Sequence, residues 1–490
     1  MKNVAIPICF LLFVFSSSCQ SNHKRLPNII MILADDLGYG DLGCYNERSL
    51  VPTPNLDKMA SEGVRLTNAY CPVSVCSPSR YALMTGRYPW RSWRKTGAMR
   101  NYERSMIESS TLTLAEMMQQ SGYATAGFGK WHLGSTFQTL DGNDPAGYKK
   151  FRADDNGANL DLSKPVLDGP TDHGFDHWLG FSCASEIWIF EDRHIFVAIG
   201  HDLYTIEATP NKDHIQVIPL ADYLPFISKK TSQYLEQQTE KDKPFFLYFA
   251  PYVPHIPLAV SEEYKGSTEA GLYGDYVHEL DFYIGEILNK LEELELDNNT
   301  IVMFGSDNGS QFRITRPEFD SIKISNSPAD IFDSEGAIGH RPNGSLRGTK
   351  WSIYEGGVRM PFMVRWPGKI KGETVQSGLF GMNDVMATLA DVLGYEIEGH
   401  AKDSQNQWPV ILGKQNQVRS VIAMQSSGQD YALRSGQWKY VWKMNSDTRE
   451  LYNLNDDPSE NQDLSSSNPW LCQEMHQQLL SLLDGHISLD

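Results

Sequence analysis

Positive charge is scarce in this chain. Against 61 aspartates and glutamates it carries 43 lysines and arginines, a formal net charge of −18 over 490 residues. An acidic surface repels a phosphate backbone, so no nucleic-acid partner is expected. Long low-complexity tracts and internal repeats are also missing, which argues against a disordered chain or a repeat array. Cysteine is sparse, with seven in all, and Cys44, Cys71, Cys183 and Cys472 have no metal-ligand spacing. A cysteine-held metal is therefore not expected; these four stay open between disulfides and buried free thiols. The apolar run at residues 4–15 is too short to cross a bilayer.

That run nevertheless has a layout. Residues 1–19, MKNVAIPICFLLFVFSSSC, place Lys2 before the apolar stretch and small residues after it, as a secretory signal does. Ser16, Ser17, Ser18 and Cys19 resemble a loose bacterial lipobox, which would leave Cys19 lipidated and the protein tethered without a spanning helix. The alternative is plain signal cleavage after the serines.

With 41% hydrophobic and 11% aromatic residues, the chain can fill substantial cores, and its length predicts more than one domain. Residues 28–36 (NIIMILADD), 123–132 (YATAGFGKWH), 244–255 (PFFLYFAPYVPH) and 301–310 (IVMFGSDNGS) read as buried strands ending in polar groups. Helical patterns at 53–63, 111–122 and 276–294 lie between them. The alternation predicts an α/β fold, a large mixed and mostly parallel sheet sandwiched by helices, with ligands beyond the strands' carboxyl ends. Residues 26–371 form the expected main domain, and 140–220, rich in Asp, Gly, Asn and aromatics, form an insertion over the site. Residues 372–490 are expected to make a smaller α+β subdomain with an antiparallel sheet, from paired strands in 431–444 and a terminal helix in 474–486.

Two features carry chemistry. Asp35 with Asp36, and Asp307 with Asn308, both follow buried apolar strands. Together they offer hard oxygen donors that suit Ca²⁺ or Mg²⁺, whereas either pair alone would read as a helix cap or turn. The second feature is a basic cluster: Arg80, Arg87, Arg91, Arg94, Lys95, Arg100 and Arg104 follow Cys76, with Glu103 the only acid among them. Ser77 as N-cap and Pro78 at the first position predict a helix towards Gly86. Cys76 then sits at the positive end of its dipole, as a nucleophile or a structural cysteine.

Cys76-Ser77-Pro78-Ser79-Arg80, followed by YALMTGRYP, resembles the signature of the type I, formylglycine-dependent sulfatases, which share an alkaline-phosphatase-like fold. The resemblance runs from Pro27 to about Asn461 through GFGKWHLG, PHIPL, GSDNGS, LRGTKWSIYEGGVRMPFMVRWPG and ELYNLNDDPSENQDL. It implies that Cys76 is the precursor of formylglycine (3-oxoalanine), installed by a formylglycine-generating or anaerobic sulfatase-maturing enzyme. It implies calcium, less readily magnesium, held by Asp35, Asp36, Asp307, Asn308 and the modified residue 76. The hydrated aldehyde would take up sulfur through one hydroxyl and expel sulfate through the other. By the same resemblance Arg80 orients residue 76, Lys130 and Lys350 bind sulfate oxygens, His132 takes the diol proton, and His255 with Lys350 serves the leaving alcohol.

The implied activity is removal of sulfate from a sulfated carbohydrate by an exported enzyme, in the periplasm or anchored to the outer membrane of a Gram-negative bacterium. Alternatives are a phosphoester or phosphonate hydrolase of the same superfamily, or an inactive sulfoglycan-binding relative. Arg91, Arg94, Trp188, Arg193 and His194 are candidate substrate contacts, with Trp178 and Phe190 as further platform candidates. Arg87 is read as a partner of buried acids, and Arg104 as a substrate or solvent contact.

Overall fold

The computed structural model describes residues 26–150, 155–183, 188–200, 215–240, 243–315 and 339–483. The expected signal and Cys19 lie outside the described residues. Among those described, the strands in chain order are β1 (Asn28–Ala34), β2 (Val64–Tyr70), β3 (Ala124–Lys130), β4 (His177–Phe181), β5 (Trp188–Glu191), β6 (His194–Gly200), β7 (Gln216–Pro219) and β8 (Phe245–Ala250). They continue with β9 (Thr300–Ser306), β10 (Arg359–Arg365), β11 (Thr374–Gln376), β12 (Phe380–Gly381), β13 (Val421–Gln425), β14 (Asp430–Ser435), β15 (Trp438–Lys443) and β16 (Thr448–Asn453).

The first twelve form one sheet in the order β11-β2-β10-β9-β1-β8-β3-β4-β5-β6-β7, with β12 also on β2. Its centre is parallel, β9, β1, β8, β3 and β4 running the same way. Strand β10 alone reverses direction between β9 and β2. Every residue of β1 and β8 is buried. Alternate side chains serve opposite faces: Ile29, Met31 and Leu33 enter one core, Ile30, Ile32 and Ala34 the other. The helices Cys76–Thr85, Leu114–Gln120 and Asp384–Leu393 cover the first face; Pro54–Ser61, Tyr223–Gln238 and Gly271–Glu293 cover the second. The expected two-layer cover is present.

Two boundaries differ from expectation. The large sheet does not end at residue 371, because Thr374–Gln376 and Phe380–Gly381 pair with β2. Within the expected insertion, β4 to β7 extend the same sheet at its far edge. Strands β4, β5 and β7, of four or five residues each, lack the long apolar run that marks a central strand, whereas β6 carries one, IFVAI, inside a segment whose polar and aromatic composition masks it.

The smaller sheet, β13-β14-β15-β16, is antiparallel and packs on the helix Pro469–Leu483 through Leu433, Tyr440, Leu451, Met475 and Leu479. A buried ion cluster joins it to the main body: Lys439 Nζ lies 3.0 Å from Glu355 and 2.8 Å from Glu460. Edge strand β13 is stitched to residues 72–74, Gln425 N–H donating to Pro72 O at 2.8 Å and Ser74 N–H to Gln425 O at 3.1 Å. The subdomain thus holds the loop that leads into Cys76. None of Cys44, Cys71, Cys76, Cys183 and Cys472 is joined to another in a disulfide.

The Gly271–Glu293 helix buries Glu279, which accepts hydrogen bonds from the N–H and hydroxyl of Ser261. Burial pushes its carboxyl up to about 7, from an ordinary 4.5. A carboxyl that holds its proton more tightly when folded stabilises fully below its unfolded value and loses that stability as pH rises through about 7. The amount is on the order of 3 kcal/mol. Glu279→Gln is expected to flatten the fall in Tm between about pH 5 and pH 8. Parallel melts of parent and variant check it.

Candidate active site

Parallel strands deliver their carboxyl ends to one edge of a sheet. The β1–β9 register pairs Ala34 with Ser306, so Asp35 and Asp307 emerge side by side. Lys130 ends β3, whose Gly129 pairs with Ala250 at the end of β8, five residues before His255. Gly129 has φ +119, and a Cβ there would meet Ala250 O at 2.1 Å; only glycine lets the two strands close up beneath Lys130. Because β10 runs the other way, the segment before it brings Lys350 to the same edge. Strand β2, antiparallel to β10, leads through residues 71–75 into the helix that starts with Cys76.

That helix spans Cys76–Thr85, with Val75 as N-cap in extended conformation, and stops at Gly86 with φ +62. Ser77 is not the N-cap. Its hydroxyl accepts from Met99 N–H at 2.9 Å, a long-range bond that sequence reading missed, while Ser79 donates to Val73 O at 2.5 Å. Cys76 therefore occupies the first helical position and is 2% exposed. Burial pushes its thiol up against the pull of Lys130 and Lys350, which disfavours a resting thiolate.

The polar groups interlock. Lys130 Nζ donates to Asp35 Oδ2 at 2.6 Å and Lys350 Nζ to Asp36 Oδ2 at 2.7 Å. Arg80 grips Asp307 Oδ2 through Nε at 3.0 Å and Nη2 at 2.8 Å, and stands 3.6 Å from Asp35 Oδ1. Asn308 Nδ2 donates to Asp36 Oδ1 at 2.7 Å, and Asp36 N–H to Asp307 Oδ1 at 3.1 Å. His255 Nε2 lies 3.7 Å from Asp36 Oδ2. His132 Nε2 faces Met99 O at 3.2 Å, which assigns the ring proton to Nε2 and leaves Nδ1, buried without a partner, as the lone-pair nitrogen. Asp36, His132 and Trp351 hold left-handed backbone, φ +66, +58 and +73. Strain of that kind concentrates at functional sites.

The charges balance in the main. Burial raises the Asp35 carboxyl, but Lys130, His255, Arg80 and Lys350 outweigh it and hold it well below the usual range. Burial and the Asp35 charge push Asp307 up to about 7 despite Arg80. Burial, Lys130 and Arg80 hold His132 well below the ordinary value, and burial with Lys350 brings His255 to about 4, so both are neutral at pH 7. Burial depresses the Lys350 ammonium, but Asp36 more than restores it.

The residues fit a hard divalent cation. Asp35 Oδ1 and Asn308 Oδ1 are buried oxygens without a hydrogen-bond partner, an arrangement that costs free energy unless a cation satisfies them. Ligand atoms of Asp35, Asp36, Cys76 and His255 all lie within 4.8 Å of one another. Three buried carboxylates face Arg80, Lys130 and Lys350, so a divalent ion would leave the cluster cationic and receptive to an anion.

The proposed substrate contacts fare differently. Arg91 is spent on Asp403, at 2.7 and 2.8 Å, with both side chains 5% exposed. Trp188 is fully buried, its indole N–H donating to Tyr102 OH at 3.1 Å, and Trp178 and Phe190 are core residues too. Arg193 pairs with Asp172 on the surface, and His194 is exposed at the start of β6. Arg94 pairs with Glu103 at 2.7 Å and donates to Ala98 O, and the Ala98 side chain packs on Val73, Val75 and Cys76, so this arginine is tied to a loop beside the site. Arg87 donates to Thr111 Oγ1 rather than to an acid, and Arg104 lies over the Trp93 ring. Tyr248, which accepts from Arg80 at 3.3 Å, had no motif to announce it.

The sequence model of the family described as Sulfatase matches residues 27–395, and one described as N-sulphoglucosamine sulphohydrolase, C-terminal, matches 349–485. An N-acetylgalactosamine-6-O-sulfatase of Bacteroides thetaiotaomicron is 33% identical over a 528-residue alignment covering 98% of this chain and 99% of the relative. Human arylsulfatase A is 31% identical, covering 90% of this chain and 83% of the relative. A solved structure described under the metabolism of multiple glycosaminoglycans by B. thetaiotaomicron superposes with a TM-score of 0.76 at 28% identity, covering 94% of this chain and 99% of the other.

Proposed function

Because the chain belongs to the sulfatase family, we propose that it hydrolyses a sulfate monoester on a glycan, with Cys76 as the precursor of formylglycine and calcium as the bound ion. The observation that carries this reading is the meeting of Asp35, Asp36, Cys76 and His255 within 4.8 Å, beside two buried lysines.

Asp35, Asp36, Asp307 and Asn308 would hold the ion, which when bound polarises the sulfate and eases deprotonation of a hydroxyl on residue 76. The converted residue supplies two hydroxyls on one carbon, one to capture sulfur and one to release it; a serine has no second. Lys130 and Lys350 are fixed by Asp35 and Asp36, so they meet sulfate oxygens without reorganising. Arg80 holds Asp307 and the Lys130 carbonyl and thereby sets the floor of the site. His132 Nδ1, the buried nitrogen that carries the lone pair, would accept a proton from residue 76. Lys350 and His255 both approach Asp36 Oδ2, at 2.7 and 3.7 Å; the lysine, protonated at neutral pH, would supply the proton to the leaving oxygen, with the neutral histidine as its partner.

The relative's name makes N-acetylgalactosamine 6-O-sulfate the first ester to try. The full chain is read as exported and lipid-anchored at Cys19, inside a Gram-negative envelope. With maturation verified by peptide mass, sulfate and phosphate esters of one chromogenic alcohol are compared. The sulfate ester is expected to win by at least about a hundredfold in kcat/KM, roughly 3 kcal/mol of transition-state discrimination. Chelation is expected to abolish turnover and calcium to restore it more fully than magnesium; preference for the phosphate ester, or indifference to chelation, would count against the reading.

A further inference from the structure

We infer that Trp351 is a sugar-stacking platform, a specificity residue that seats the pyranose ring of the sulfated glycan named above. The inference rests on that reading of the site for its ligand class, and on four observations for its place. Trp351 directly follows Lys350, whose ammonium is fixed at 2.7 Å from Asp36. The indole ring lies 5.5 Å from that ammonium. Its backbone is pinned, N–H donating to Ser74 O at 2.8 Å and C=O accepting from Ser427 N–H at 3.1 Å. Yet the residue is 38% exposed, an unusual state for so large an apolar ring whose main chain is held on both sides.

The backbone adds a further argument. Trp351 has φ +73, a conformation that a bulky side chain adopts at a cost and glycine does not. A position that needs only a turn is better served by glycine; tryptophan there implies that the ring is worth the strain. The chemistry fits a sugar. The carbons of a pyranose present slightly positive C–H groups that face the negative surface of an aromatic ring. A sulfate held by Lys350 places its sugar within a few bonds of the indole. The flanking residues Thr349 and Ser352 line a cavity of about 590 Å³ whose charged lining, among the described residues, is Arg313, Arg341 and Arg347, so an anionic saccharide extending from Trp351 towards it would meet positive charge.

Binding is tested in a Cys76→Ala background, which separates it from turnover, by titration calorimetry with N-acetylgalactosamine 6-O-sulfate and N-acetylglucosamine 6-O-sulfate in calcium buffer. Trp351→Ala and Trp351→Gly are expected to weaken the better of the two about tenfold, and Trp351→Phe by no more than about threefold. Affinity for inorganic sulfate should be unchanged in all three. Trp351→Gly should melt at or above the parent Tm, because glycine relieves the left-handed strain. The platform is overturned if Trp351→Ala binds the sugar sulfates as the parent does, if Trp351→Gly loses Tm together with affinity, or if the parent binds neither sugar. Failure of the catalytic reading looks different: matured wild-type protein would bind the sugars, with the same dependence on Trp351, yet release no sulfate from any ester.

Discussion

Cys76→Ser is expected to fold, bind calcium and lose multiple turnover, with steady-state hydrolysis down by roughly a thousandfold or more, the scale seen when hydrolases lose their nucleophile. The side chain is 2% exposed at the first position of a buried helix, and serine differs from cysteine there by little more than one atom's radius. Melting should therefore change little. The chemistry changes entirely. A serine hydroxyl can accept sulfate once, but it has no neighbouring hydroxyl to expel it. The expected signature is release of at most one equivalent of chromogenic alcohol, with the sulfate retained on the peptide containing residue 76. Intact-peptide mass and a burst measurement read both. Sustained turnover by the serine variant would remove the two-hydroxyl mechanism, whatever the fate of the fold.

The same residue shows what can be read from sequence and what cannot. Strand ends were legible because each strand is a continuous apolar run broken by charge. Asp35 and Asp36 follow β1, Asp307 and Asn308 follow β9, and Lys130 closes β3. Parallel pairing then does the rest, bringing residues more than 270 apart to one edge. The helix start was misplaced by two positions because Ser77, a good N-cap by type, is used instead by Met99. Nothing within 20 residues of Ser77 signals that partner.

The surface contacts failed for a related reason. Arginine beside an anion site and arginine beside a distant aspartate look the same in sequence, and Asp403 lies 312 positions from Arg91. Trp188 was read by its type, but its strand turns the ring inward onto Tyr102. Trp351 went unnoticed for the opposite reason: one tryptophan in a polar segment carries no pattern, and only its φ and exposure mark it. Local chemistry at strand ends is legible; which cation meets which acid is a property of the fold.

Arg80 and Arg91 make that distinction measurable. Each is a buried guanidinium gripping one carboxylate by two nitrogens, Arg80 on Asp307 at 3.0 and 2.8 Å, Arg91 on Asp403 at 2.7 and 2.8 Å. Truncation of either leaves a buried carboxylate without its counter-charge, a lesion of about 3–5 kcal/mol. Arg80→Ala and Arg91→Ala are therefore both expected to melt well below the parent. Their effects on catalysis should part company. Arg80 also donates to Lys130 O at 2.9 Å and faces Asp35 at 3.6 Å, so its loss releases both Lys130, proposed above to bind sulfate, and the carboxylates proposed to hold the ion. Arg91 ties the chain to Asp403, away from the strand ends that carry those groups. Assayed well below their melting points, Arg80→Ala should lose at least about a hundredfold in kcat, whereas Arg91→Ala should stay within about threefold of the parent. Arg80→Lys, which keeps the charge and loses the fork, should fall between. Equal catalytic loss in Arg80→Ala and Arg91→Ala would mean that the basic cluster acts as one anion-binding surface after all, and would return Arg91 to the substrate.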